Sequence, residues 1–470
     1  MKFSIITILS LASFVLAGVP ARKQSKTPEY IPDSYIIQFK DTITMSAKGD
    51  NAHFKWLNEA LAKENVKREA GAPKYGVKSK YQIPGFMGYS GTFSKSIVDE
   101  IKARNEVVDV TQDAIVRTQA PSGLMDGLGK SALVTPVRPT APDSLLSQRF
   151  PCTEQQLSTV EDDGMWGLGR ISHIGTPPNT TESGWPKYVY DRYTGKCPRD
   201  SPPTAYVIDS GILSNHPDYA GRAENGFNYK PGVWPNEDVC GHGTHVAGII
   251  GGTKHGVMKS TRLIGVKVLE GADAECSGTW SGVIAGVNWA IKDAKLKNAL
   301  KTSVINMSLG GASYPPVNKA VQAAIDNGMT VVTAAGNAYG ADSCEFSPAA
   351  VAEAITVGSM SINEQVSPFS NGGCCIDIFA PGQNIQSAYL GNVTRLLSGT
   401  SMAAPMVAGL VLYNKCRWGY NSPDSDRRGL LEKYYSDNGA LKYFPTGSFD
   451  LCAASADMYN RVAFNRANCF

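Results

Sequence analysis

Cysteine is missing from the first 151 residues of this 470-residue chain, and all ten cysteines lie between Cys152 and Cys469. That absence divides the chain into a leading segment and a body with different fates. An excess of either charge is missing as well. The formal net charge is +3; residues 19–120 hold 16 basic and 12 acidic side chains, and everything from Pro121 onward holds 28 and 30. A near-neutral body lacks the concentrated basic face that nucleic acid requires, which excludes nucleic acid as a partner. Long apolar runs are also wanting. The one at the start is too short to cross a bilayer and no later stretch is longer, so no membrane partner is expected. No internal repeat occurs.

What is present begins with "MKFSIITILSLASFVLAG", an early lysine, an apolar run to Leu16 and small residues around Ala17. This predicts a signal segment over 1–17 and a secreted, extracellular protein. An even number of cysteines in such a chain favours disulfides over thiol or metal chemistry. A charged unit follows over 18–120, in which "DSYIIQF" and "EVVDVT" read as strands and "NAHFKWLNEALAKENVKREAG" reads as a helix stopped by Gly71. Residues 121–164 shift to Pro, Ser, Gly and Thr, as a linker or surface extension does.

From 165 to 470 buried-strand runs ("TAYVI", "LIGVKVL", "TSVINM", "MTVVTAA", "EAITVG") alternate with helical stretches such as "WSGVIAGVNWAIKDAK" and "VNKAVQAAIDNG". Near-continuous Val and Ile strands alternating with helices predict an α/β fold: a mostly parallel sheet with helices on both faces. Such sheets bind ligands at the carboxyl ends of their strands.

Four residues at or near such ends could carry chemistry. Asp209 closes "AYVID", where it is either a functional carboxylate or a turn cap. His242 stands between two glycines in "CGHGTHVAG" with His245 one turn later; a metal reading lacks the glutamate of a zinc-protease helix. Asn337 follows a strand in "VVTAAGNA" and could donate to an anion or cap a turn. Ser401, in "LLSGTSMAAPMVAG", is either a nucleophile at a helix mouth or a small residue in a close packing contact; no Gly-x-Ser-x-Gly elbow surrounds it.

Together, "YVIDSGI", "GHGTHVAG", "SLGG", "TAAGN" and "SGTSMAAP", in that order, resemble the subtilisin-like serine peptidases, and in particular their proteinase K branch. The resemblance runs from about Trp166 to Arg466. It implies a serine-type endopeptidase acting on proteins and peptides, with Asp209, His242 and Ser401 as catalytic triad and Asn337 in the oxyanion hole. It places the extended substrate between two edges, Ser277-Gly278-Thr279 and Ser308-Leu309-Gly310. A pocket walled by Leu309, Ala334, Ala335, Gly336 and Phe346 carries no acid, so a large apolar or aromatic residue is expected before the scissile bond. A kexin-type processing protease would instead want acidic pockets and a further β-domain. An inactive fold kept for binding would not need all four residues.

The 18–120 unit resembles, more loosely, the inhibitor-like propeptide of these enzymes, a small α+β domain. This implies a zymogen that lays "DAIVRTQA" in its own cleft and cuts itself near Ala120, the propeptide acting as intramolecular inhibitor of a monomer. Relatives carry cysteines at nearly the same places, which implies Cys240–Cys276 and Cys344–Cys375 bridges. Six cysteines remain, with fifteen pairings open. No cofactor is expected for catalysis. The resemblance aligns Asp377 with a structural calcium ligand, alongside the carbonyls of Ala352 and Ala354; a satisfied structural aspartate is the equal alternative. Asn179 and Asn392 lie in loop sequons open to glycans, whereas the Asn306 sequon ends a buried strand.

Overall fold

The computed structural model describes residues 25–46, 51–69, 71–118, 165–173, 188, 190, 202–431, 436–438 and 461–463. The signal segment, the 121–164 extension, Ala120, Asn179, Cys152, Cys197, Cys452 and Cys469 lie outside them. Among the described residues no helix is long and apolar enough to cross a membrane.

The leading unit is an antiparallel sheet in the order Val107–Thr118, Tyr30–Phe39, Phe86–Thr92 and Gly76–Ile83, with helices Ala52–Val66 and Lys95–Lys102. The first helix starts where Asn51 Oδ1 accepts the N–H of Phe54 at 3.2 Å, a side-chain cap. It buries His53, Phe54, Leu57 and Leu61 and ends at Val66, five residues before the expected stop at Gly71. Glu64, Asn65 and Arg68 follow Leu61 at helical spacing, so no apolar stripe remains to hold another turn on the sheet.

The body is built on a parallel run of strands in the order Ile378–Pro381, Ile355–Met360, Thr330–Ala334, Ser303–Met307, Thr204–Asp209, Arg262–Lys267 and Ala223–Asn228. Strand alternation separates two cores. Ala205 and Val207 face helices His242–Gly251 and Thr400–Trp418; Tyr206 and Ile208 face helices Trp280–Leu296 and Pro315–Asp326. The α/β class with helices on both faces is therefore as expected.

The leading unit is docked on the second pair of helices. Ile36, Tyr81, Ile83, Phe86, Ala114 and Val116 join the core that contains Trp280, Val283 and Val321. Tyr81 Oη donates to the Ser281 carbonyl at 3.0 Å, and Asn288 Oδ1 accepts the Gln82 N–H at 2.8 Å. Asp113, buried, accepts the Ser281 N–H at 3.1 Å and its hydroxyl at 2.6 Å, which puts a carboxylate at the N-terminus of the Trp280–Leu296 helix.

Candidate active site

Thr204–Asp209 is buried along its whole length and delivers Asp209 to the carboxyl end of the sheet. There Asp209 Oδ1 accepts the Ser210 N–H at 2.8 Å. His242 is the first residue of its helix, and its Nδ1 lies 2.8 and 3.0 Å from the two Asp209 oxygens; both side chains are fully buried. A carboxylate on Nδ1 fixes the tautomer with Nε2 unprotonated, the form that can accept a proton. Nε2 has no hydrogen-bond partner among the described residues.

Two backbone features bring this pair together. Gly241, the residue before the helix, has φ +92°, a left-handed turn suited to glycine. At Gly243 a Cβ would stand 2.2 Å from the Gly211 carbonyl oxygen, so only glycine lets the helix close on the Asp209 turn. Asp238, which the sequence reading did not single out, caps the same helix. Its Oδ1 accepts the N–H groups of Cys240 and Gly241, each at 2.9 Å, and its Oδ2 accepts the Thr244 N–H at 2.9 Å and hydroxyl at 2.6 Å. Burial raises its carboxyl pKa. An acidic residue three places before a glycine was the one available signal, and surface turns share it.

Ser401 is the second residue of the Thr400–Trp418 helix and is fully buried. Its Oγ donates to the Ser308 carbonyl at 3.1 Å, so in this state the hydroxyl is held on the substrate edge and not on His242. In return Ser308 Oγ donates to the Ser401 carbonyl at 2.9 Å. Asn337 Oδ1 accepts both the N–H and the hydroxyl of Thr400, each at 3.0 Å, which orients its amide so that Nδ2 is the end presented as donor. The Ala335–Ala338 turn is held from behind by Asn371: Oδ1 takes the Ala338 N–H at 2.6 Å, Nδ2 donates to the Ala335 carbonyl at 2.9 Å, and the Asn371 N–H donates to the Gly336 carbonyl at 2.9 Å. Asn371 and Thr400 were not identified from the sequence, because their roles exist only across the fold. His245 turns away from the site, Nε2 donating to the Arg395 carbonyl at 2.9 Å.

The two expected edges are filled. The leader strand Val107–Thr118 lies between Glu275–Thr279 and Leu309–Ala312, antiparallel to both. Ile115, Val116 and Arg117 stand opposite Thr279, Gly278 and Ser277; Thr118 and Arg117 stand opposite Leu309 and Gly310. The pocket residues Leu309, Ala334, Ala335 and Phe346 are all buried.

Both expected bridges are formed, Cys240–Cys276 with Cα atoms 6.3 Å apart and Cys344–Cys375 at 5.3 Å. Cys374 and Cys416 are disulfide-bonded too, so the adjacent Cys374-Cys375 pair is not a thiolate metal site. At Asp377, the residue aligned with a calcium ligand, both carboxylate oxygens have partners. Asp377 Oδ2 accepts the Thr356 N–H at 2.9 Å and Oδ1 is ion-paired with Arg427. With one oxygen on a backbone amide and the other on a guanidinium, Asp377 has the partners of a satisfied structural aspartate. Asn392 is exposed, at φ +59°, as a glycan acceptor must be, whereas Asn306 is buried with Nδ2 donating to Ser308 Oγ.

Comparison with known proteins agrees with this geometry. The model of the subtilase family matches residues 204–435, and that of the peptidase inhibitor I9 family matches residues 34–119. An alkaline proteinase of Hapsidospora chrysogena is 36% identical over 413 residues, 87% of this chain and 89% of that protein. Alkaline protease 1 of Aspergillus clavatus is 35% identical over 433 residues, 91% and 93% of the two chains. The crystal structure of a cold-adapted subtilisin-like serine proteinase superposes with a TM-score of 0.53 at 35% identity, covering 65% of this chain and 99% of the other. The chain belongs to the subtilase family: it is a serine endopeptidase preceded by an I9 inhibitor domain.

Proposed function

We propose that this subtilase is a secreted endopeptidase of broad specificity, made as a zymogen that cleaves itself near Ala120 and is then held inactive by its own leader. One observation carries the reading: a buried imidazole tied to Asp209 at 2.8 Å stands beside a groove whose two edges are bridged by the leader strand in the manner of an extended substrate.

In this mechanism the Ser401 hydroxyl leaves the Ser308 carbonyl, gives its proton to His242 Nε2 and attacks the peptide carbonyl. Asp209 stabilises the imidazolium that results. The oxyanion is met by Asn337 Nδ2 and the Ser401 N–H, with the positive end of the Thr400–Trp418 helix behind them. His242 then protonates the leaving amine, and water completes the cycle by the same route. The apolar walls at Leu309, Ala334 and Phe346 favour a large apolar or aromatic residue before the scissile bond. The signal segment and the disulfide-rich body support export.

The test is secretion of Ser401→Ala beside the wild type. The variant should accumulate with its leader uncut and hydrolyse no protein substrate. Normal maturation with retained activity would remove Ser401 as nucleophile.

A further inference from the structure

The hairpin of Leu269–Ala272 and Glu275–Thr279 closes through a two-residue turn, Asp273-Ala274, with φ +50° and +64°. Positive φ at both positions is the turn geometry that Asn-Gly adopts with little strain. Here two residues with side chains hold it, and Ala274 is buried. The turn is anchored from behind: the Ala274 N–H donates to the Cys240 carbonyl at 2.9 Å, and the Cys240–Cys276 bridge joins the same segments. In the hairpin register Ala272 faces Glu275 next to the turn, so Gly271 and Cys276 form the non-hydrogen-bonded pair and the Cys276 N–H points outward to the groove.

The anchored turn presents acceptors and a donor to a single side chain, the nearer acceptor being the Ala274 carbonyl and the farther, at 3.5 Å, that of Cys276. Thr118 Oγ1 donates to the Ala274 carbonyl at 2.9 Å and accepts the Cys276 N–H at 3.2 Å. These bonds are separate from the main-chain ladder that pairs Thr118 with Leu309. A hydroxyl fills both roles at once. Valine has the same shape and fills neither, leaving the carbonyl and the N–H facing a methyl group.

We propose that this turn is a hydroxyl-selective subsite, so that substrates with Thr or Ser in the place of Thr118 are preferred. The proposal rests on the groove being the substrate cleft of the reading above. In the antiparallel register the next substrate residue faces Ser308, whose carbonyl holds the Ser401 hydroxyl. The subsite therefore takes the second residue before the scissile bond.

The experiment uses mature enzyme secreted from the full chain and internally quenched peptides that differ only at that position: Thr, Ser, Val or Ala. A matched set carries the Thr-to-Val change one residue earlier, in the place of Arg117, whose side chain is exposed. Loss of both hydrogen bonds should lower kcat/KM about tenfold from Thr to Val, in line with an unmade bond to a buried amide. Ser should stay within about threefold of Thr, and the earlier change should have less than a twofold effect. Equal rates for Thr and Val, or an equal drop at the earlier position, would overturn the subsite while leaving the endopeptidase reading intact. Cleavage of none of the peptides would overturn the endopeptidase reading itself.

Discussion

Pro405 stands inside the helix that carries Ser401 and has no N–H to offer the carbonyl four residues back, which is that of Ser401. The vacancy is filled by Ser308 Oγ at 2.9 Å, so a missing helix bond becomes a tie between nucleophile and substrate edge. Arg427 does comparable work at Asp377. Burial raises the Asp377 carboxyl to about 6 even with the guanidinium opposing it. Below that pH the protonated acid needs Arg427 little; above it, loss of Arg427 leaves a buried carboxylate without its cation. Arg427→Ala, made in the inactive Ser401→Ala chain, should therefore be destabilising by about 1–2 kcal/mol above pH 6, a value discounted for the partial exposure of Arg427, and by much less at pH 5. Thermal melts at the two pH values check this; equal losses at both would show that the pair contributes through packing alone.

At the scale of elements, the leader strand is the one that the active site reads. Val116 is buried and lies opposite Gly278, and its neighbours pair with both edges. Val116→Pro removes a ladder N–H in the middle of a three-stranded arrangement, where proline is not accommodated. The variant should be cut slowly, with most of the secreted protein still carrying its leader; normal processing measured by the size of the secreted chain would show that the strand does not present the scissile segment. The major strands and helices of the body were legible as alternating runs, because burial on both faces leaves long Val and Ile stretches that polar loops cannot imitate. The 52–66 helix was legible in type but not in length, since its end is set by what the sheet beneath can bury.

For the whole molecule, buried histidines give the two halves a shared response to acid. His245, fully buried where its helix meets the ribbon of Ile385–Tyr389 and Val393–Leu397, has its pKa pushed down to about 3 by burial, and burial also lowers that of His53 in the leader core. A folded-state pKa below the unfolded value of about 6.5 means that the neutral form's contribution is complete above that pH and is lost as pH falls toward 3. For His245 the loss across that window is on the order of 4 kcal/mol. The melting temperature of the Ser401→Ala chain should thus fall steadily below pH 6.5. His245→Gln, which can still donate to the Arg395 carbonyl, should flatten that fall. An unchanged slope in the variant would assign the acid sensitivity to other groups.

The sequence by itself determined the fold class, while resemblance to a family grouped Asp209, His242, Asn337 and Ser401 as a set and named the partners of two disulfides. The first is carried by strand periodicity, the others by short motifs that match a family in kind and in order. Only the tertiary structure decided that Ser401 rests on Ser308, that Asp238 and Asn371 brace the site, that Arg427 occupies the carboxylate aligned with calcium, and that the Ala274 carbonyl faces the Thr118 hydroxyl. Each of these joins groups whose neighbours in the chain carry no trace of the other, because hydrogen bonds and ion pairs depend on distance in space and leave no period in a sequence.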